Sequence, residues 1–199
     1  MRIPAAPAAP ATCRRGRHLF LTERLRLQSV TLSDIRMLIA AASDPQAQRW
    51  LGWTRQQVIP EAHRAELLAR PPGQGRRIYR GAGGHWGLTA VDRSSGRLAG
   101  SVEGGLRSNE VGGSLAPQFR SRGLGTELFA AAALFAHDHL GVASLRAGTE
   151  PANAACVAAL LSAGFVPAAG PVIHHLPDGR SVPARWFRHD SDRPSRCRA

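Results

Sequence analysis

Lysine is absent from this sequence, tyrosine occurs once, and cysteine occurs three times in 199 residues. The cysteines, Cys13, Cys156 and Cys197, are scattered, so neither a disulfide framework nor a Cys-x-x-Cys metal pair can be built from them. No apolar run approaches the ~18 to 20 residues that a membrane helix needs, and the opening MRIPAAPAAPATCRRGRH has basic residues but no apolar signal core. These absences point to a soluble, cytoplasmic protein with reduced thiols. With a single tyrosine and no basic run interleaved with aromatics, the chain also lacks the stacking surface of a nucleic-acid-binding module.

The formal net charge is +12, and every basic residue is arginine. Uniform replacement of lysine reads as genome composition more than as a partner signal. Residues 1–19 hold four arginines and no acid, and 185–199 hold five arginines and two aspartates, which leaves +5 over residues 20–184. That is mild for a domain handling a phosphate-rich cofactor. A hydrophobic content of 43% can supply one sizeable core. The expected organisation is an Ala/Pro-rich disordered leader over 1–19, one domain over 20–189 and a disordered tail over 190–199.

Periodicity places elements along that domain. LFLTERLRLQSV alternates as a strand, and Thr31 to Ala42 switches to helical spacing. Gln56 to Arg70 gives a second helix, with Pro60 as a possible kink and PPGQG as its stop. HWGLTAVD, RLAGSVEGGLRS and NEVGGSLAP read as an antiparallel meander. Gly123 to Leu140 is an apolar-faced helix, VASLRAGT a strand, and Asn153 to Ala163 a helix closed by Gly164. PDGR turns a hairpin into the last strand, SVPARWFRHD. The order predicts an α/β fold with a mixed, mostly antiparallel central sheet flanked by helices.

Arg120-Ser121-Arg122-Gly123-Leu124-Gly125 lies between a strand end and a helix start. Glycines there let a ligand approach backbone N–H groups that the helix leaves unsatisfied, and the helix dipole favours an anion. Arg120 and Arg122 would flank such a cradle. A dinucleotide fingerprint would need glycine at Leu128, and a Walker loop would need Gly-Lys-Ser/Thr; both are missing. The spacing Arg-x-x-Gly-x-Gly, followed by Thr126-Glu127-Leu128, closely resembles the acetyl-CoA motif of the GNAT superfamily of N-acetyltransferases. TERLRLQSVTLSDI, EVGGSLAPQFRSRGLGTEL and NAACVAALLSAGF resemble its RimJ/RimL-like branch, in the same order over about residues 21–188.

The resemblance implies acetyl-CoA as co-substrate, held by Leu115, Ala116, Arg120, Ser121, Arg122, Gly123, Leu124, Gly125, Thr126 and Asn153. It implies a V-shaped splay between the strand ending near Leu115 and the strand over 142–149, and a backbone N–H near Leu115 or Ala116 that polarises the thioester carbonyl. Direct attack needs an amine that has lost its proton, which makes Glu110 the first candidate base, with Glu103 and Glu150 in reserve. Many members place a tyrosine, as proton donor to the leaving thiolate, where Leu160 stands here. In the RimJ/RimL-like branch a serine occupies the position of Cys156, which reads either as that donor or as a small buried filler. Asn153 also suits a helix cap. His174 and His175 read as strand residues, and no metal is expected.

The implied activity is transfer of an acetyl group to a primary amine: a protein N-terminal α-amine, an amino acid or another small amine. A non-catalytic acyl-CoA-binding domain is the alternative, and a basic nucleic-acid-binding module a more distant one. The quaternary state, monomer or homodimer, is open.

Overall fold

The structure is a computed structural model that describes residues 12–14, 17–79 and 82–192. Six antiparallel strands form the larger sheet in chain order: β1 (Thr12–Arg14), β2 (Arg17–Leu21), β3 (Leu25–Ser29), β4 (His85–Asp92), β5 (Leu98–Gly105) and β6 (Val111–Leu115). A second sheet has the order β7-β11-β8, built from β7 (Ser144–Thr149), β8 (Val166–Ala168) and β11 (Arg185–Asp190). A hairpin of β9 (Ile173–His175) and β10 (Ser181–Pro183) stands apart from both. The helices are α1 (Ile35–Ala41), α2 (Pro45–Leu51), α3 (Glu61–Ala69), α4 (Leu124–Leu134) and α5 (Ala154–Ser162). The mixed, mostly antiparallel α/β architecture expected from the sequence is present.

Several boundaries differ from the sequence reading, each for a local reason. The single strand expected over residues 19–30 is two strands. The chain reverses because the Thr22 hydroxyl and Glu127 carboxylate bind the Leu25 N–H, at 2.9 and 3.2 Å. The helix expected from Thr31 starts at Ile35, because Asp34 folds its carboxylate back onto the Thr31 N–H and hydroxyl, at 3.0 and 2.8 Å. Pro60 does not kink a helix; it precedes the first residue of α3. The final strand is split between β10 and β11. Helix α2 was not foreseen, although Asp44 accepts from the N–H groups of Gln46 and Ala47 and Pro45 follows, a standard N-terminal signal. β1 and the start of β2 fall inside the stretch expected as leader, while residues 1–11 and 193–199 lie outside the described ones.

The core sits between the larger sheet and α4. Leu88, Val102 and Val111 point towards that helix, and Phe135, Phe165 and Phe187 are less than 2% exposed. Burial of each such side chain stabilises the fold by about 1.5 to 3 kcal/mol. Beyond Leu134 the helix widens into a π turn over Phe135–His139, with the Leu140 N–H donating to the Phe135 carbonyl at 3.2 Å. Phe135, Ala136 and His137 are all buried in this turn.

Candidate active site

β6 and β7 run parallel and touch only at one end. Glu110 bridges to Arg146, whose N–H donates to the Asn109 carbonyl at 2.7 Å. Beyond that point they belong to different sheets, which is the expected V-shaped splay. Antiparallel register decides what faces the gap. The Ala116 N–H bonds to the Ala99 carbonyl at 2.9 Å and the Gly105 N–H to the Glu110 carbonyl at 3.0 Å. Peptide groups alternate direction along a strand, so those of Gly113 and Leu115 point away from β5, into the gap. On the other arm, the peptide of Gly148 faces inward by the same alternation. The Leu115 N–H is therefore available to a ligand's carbonyl. The Ala116 N–H is not, because the sheet already uses it.

A cavity of about 700 Å³ fills the V, within the ~300 to 1,000 Å³ usual for small-molecule sites. Ser121, Gly123, Gly125 and Thr126 line it at the start of α4. Gly123 adopts a left-handed conformation with φ 73°, and the first helical N–H to bond back is that of Glu127, to the Gly123 carbonyl at 3.5 Å. The preceding N–H groups are left for an anion. A side chain at Gly125 would crowd the Ala159 Cβ at 3.3 Å, so the loop and α5 are in contact there. These residues fit a pyrophosphate.

The flanking residues have other duties. Arg120 donates from Nη2 to Asp44 Oδ2 at 2.5 Å, from Nη1 to Asp44 Oδ1 at 2.8 Å and Gln46 Oε1 at 3.1 Å, and from Nε to the Leu115 carbonyl at 3.0 Å. It ties the loop to α2. Burial pushes the Asp44 carboxyl up, but Arg120 and the N–H groups of Ala47 and Gln46 outweigh it and hold the pKa below the usual range. Arg122 is exposed with its guanidinium over the Phe119 ring, and its carbonyl accepts from Arg24 Nη1 at 2.6 Å. Leu124 sits in the core, 3% exposed. Neither side chain lines the cavity; what Leu124 can offer is its backbone N–H. Glu127 locks the helix start to the β2-β3 turn through the Thr22 hydroxyl, the Arg24 N–H and the Arg24 guanidinium.

Glu103 and Glu110 project from the sheet face opposite α4, since alternation puts them on the side of Gly112 and not on that of Val111. His85 joins them, because it pairs with Gly105 on the same face. All three line the cavity with Glu150 and His174. Asn153 accepts from the Cys156 N–H at 3.2 Å and so caps α5, using its amide oxygen. Cys156 also lines the cavity; burial pushes its thiol up, against a hydrogen bond with Thr149. Leu160 is fully buried and offers no proton. His175 bonds through Nδ1 to Ser181 Oγ at 2.8 Å within the β9-β10 hairpin. Asp44, His85, Thr149 and Trp186 belong to the surroundings of the site and escaped the sequence reading, because only the fold brings them there.

The fold thus builds a cleft between two splayed parallel strands, closed by a glycine loop at a helix start. The model of the GNAT acetyltransferase domain matches residues 24–166, and the chain belongs to that family. No curated protein matches the sequence. Among solved structures, a spermidine N-acetyltransferase from Vibrio cholerae in complex with CoA and spermine is 14% identical, with TM-score 0.61, covering 85% of this chain and 96% of that one. A ribosomal-protein-S5-alanine acetyltransferase from Vibrio fischeri is 14% identical, with TM-score 0.60 and coverage of 87% and 97%. An aminoglycoside acetyltransferase in complex with coenzyme A is 18% identical, with TM-score 0.58 and coverage of 83% and 94%. Among the described residues no helix is long and apolar enough to cross a membrane.

Proposed function

We propose that this chain moves the acetyl group of acetyl-CoA onto a primary amine by direct attack. The observation that carries the reading is the cavity itself, which joins the free Leu115 N–H, the α4 start and three carboxylates in one space. The loop residues Ser121, Gly123, Gly125 and Thr126 would bind the pyrophosphate through backbone N–H groups. Leu115 would bind the thioester carbonyl and stabilise charge growing on its oxygen. A carboxylate on the open sheet face, Glu110 first, takes the amine proton; the amine nitrogen bonds to the carbonyl carbon; the carbon–sulfur bond breaks. The departing thiolate takes a proton from Cys156, whose raised pKa keeps it protonated near neutrality, and the proton that the new amide nitrogen sheds returns through solvent to the Cys156 thiolate.

The acceptor is a protein N-terminal α-amine, an amino acid or another small amine, approached past His85 and His174. The RimJ/RimL-like resemblance supports the first of these. A non-catalytic acyl-CoA binder is the second reading, favoured by the fully buried Leu160 where many members carry a donor.

The decisive experiment couples two measurements. Acetyl-CoA at a hundredfold excess over its Kd should stabilise the fold by ~2.7 kcal/mol, read as a thermal shift. An amine panel should then release CoA thiol. A shift without release from any acceptor, N-terminal peptides included, identifies a binder; no shift at millimolar acetyl-CoA, with the protein folded, rejects both readings.

A further inference from the structure

At the far end of α4 from the cofactor loop, three side chains converge that the cleft does not use. Cys13 and His18 are directly opposed across the β1-β2 pair, so both project from one face of the sheet. His139, the last residue of the π turn, meets them there, its ring 4.6 Å from that of His18 and nearly perpendicular to it. The thiol and one nitrogen of each imidazole lie within 4.8 Å of one another. Phe135 packs against both rings at 5.1 and 5.2 Å, which limits how far either can turn.

Two independent features mark the cluster as unfinished. His18 Nδ1 is buried and has no hydrogen-bond partner. A buried ring nitrogen without a partner is costly, and native structures seldom leave one. In addition, the π turn is what carries His139, and such local widenings recur at functional sites.

We propose that Cys13, His18 and His139 bind one zinc ion, with water in the fourth position. Thiolate and imidazole are the donors that zinc prefers, in tetrahedral geometry with metal–ligand distances of about 2.0 to 2.3 Å. Ligands around such an ion stand roughly 3.3 to 3.8 Å apart, so atoms that already lie within 4.8 Å of one another need only a small closing movement, for which the exposed Cys13 is free to turn. Binding displaces the thiol proton to solvent and forms one Zn–S and two Zn–N bonds. The ion clamps the N-terminal hairpin onto the end of the helix whose start forms the cofactor loop.

The test uses untagged full-length protein, reduced and stripped with a chelator. Calorimetric titration with zinc should give one ion per chain and a raised melting temperature. Cobalt(II) should give tetrahedral d–d bands together with a thiolate charge-transfer band. Cys13→Ser should abolish the charge-transfer band, while Cys156→Ser should keep it. His18→Gln and His139→Gln should weaken zinc by more than the ~10 to 100-fold that loss of an outer partner costs. Should either histidine variant fail to fold, the exposed Cys13→Ser variant decides alone. Absence of stoichiometric zinc binding by the folded parent, or zinc affinity and cobalt spectrum unchanged in Cys13→Ser, overturns the proposal.

Discussion

The guanidinium of Arg120 meets the carboxylate of Asp44 at two points, Nη2 to Oδ2 at 2.5 Å and Nη1 to Oδ1 at 2.8 Å, and so fastens the glycine loop to the start of α2. Both side chains are largely buried, 21% and 13% exposed, which makes the pair stronger than a surface ion pair. Arg120→Ala should therefore lower the stability of the unliganded protein by about 1 to 3 kcal/mol in denaturant unfolding. A double-mutant cycle with Asp44→Asn should return a coupling of ~0.5 to 3 kcal/mol. A residue that only touched phosphate would leave the unliganded protein unchanged and the cycle flat.

Two glycines of the cavity should respond differently to valine. At Gly125 the added Cβ meets the Ala159 Cβ at 3.3 Å and covers the helix start, so Gly125→Val should weaken acetyl-CoA binding more than tenfold by calorimetry. At Gly112 a Cβ meets nothing within 4 Å. Gly112→Val should keep acetyl-CoA affinity and raise the KM for the amine, because it narrows the sheet face that carries Glu103 and Glu110. Equal loss of acetyl-CoA affinity in both variants would contradict this division of the cavity.

Glu110→Gln should lower kcat by ~10² to 10⁴ near neutral pH with acetyl-CoA binding intact. The loss should shrink as pH approaches the amine's own pKa, since free amine then forms without a base. Glu103→Gln is the comparison on the same face of the sheet. If it alone reproduces the loss, the proton goes to Glu103.

For Cys156, the two roles predict opposite sensitivities. A proton donor makes Cys156→Ala slow and lets Cys156→Ser recover much of the rate. A packing filler lets alanine keep its rate and lose stability through the cavity left behind. The raised pKa of the thiol adds a second readout: alkylation of Cys156 should stay slow at neutral pH and accelerate only above the ordinary thiol value of 9.0.

Acid should unlock the β2-β3 turn from α4. Burial pushes the Glu127 carboxyl up, but Thr22 and Arg24 outweigh it and bring its pKa below the ordinary 4.5. A carboxylate with a lowered folded pKa stabilises the fold above its unfolded value, and that contribution fades as pH falls through the folded one. Glu127→Gln should thus lower the melting temperature most at pH 6 and above, with the gap to the parent closing below about pH 4.5. A constant gap across that range would assign the effect to packing.

Much of this protein was legible from the chain alone, because the signals concerned are local. The meander, α4, α5 and the hairpin turn follow from hydrophobic period and turn chemistry within windows of about a dozen residues. The glycine loop is equally local: Gly123, Gly125 and the N–H groups they expose are neighbours in sequence. The Asn153 cap likewise joins residues three positions apart. What the tertiary structure alone decided depends on pairs far apart in the chain. Arg120 reads as a phosphate ligand from its spacing, and only the fold adds Asp44 as its ion-pair partner. Leu115 and Ala116 look equivalent until register with β5 assigns one N–H to the sheet and leaves the other free. Cys13 and His18 sit in what reads as a leader, and only the π turn that positions His139 makes a cluster of them. Backbone propensity and spacing determine which elements form; which polar groups those elements leave unpaired, and hence open to a ligand, is determined by three-dimensional packing.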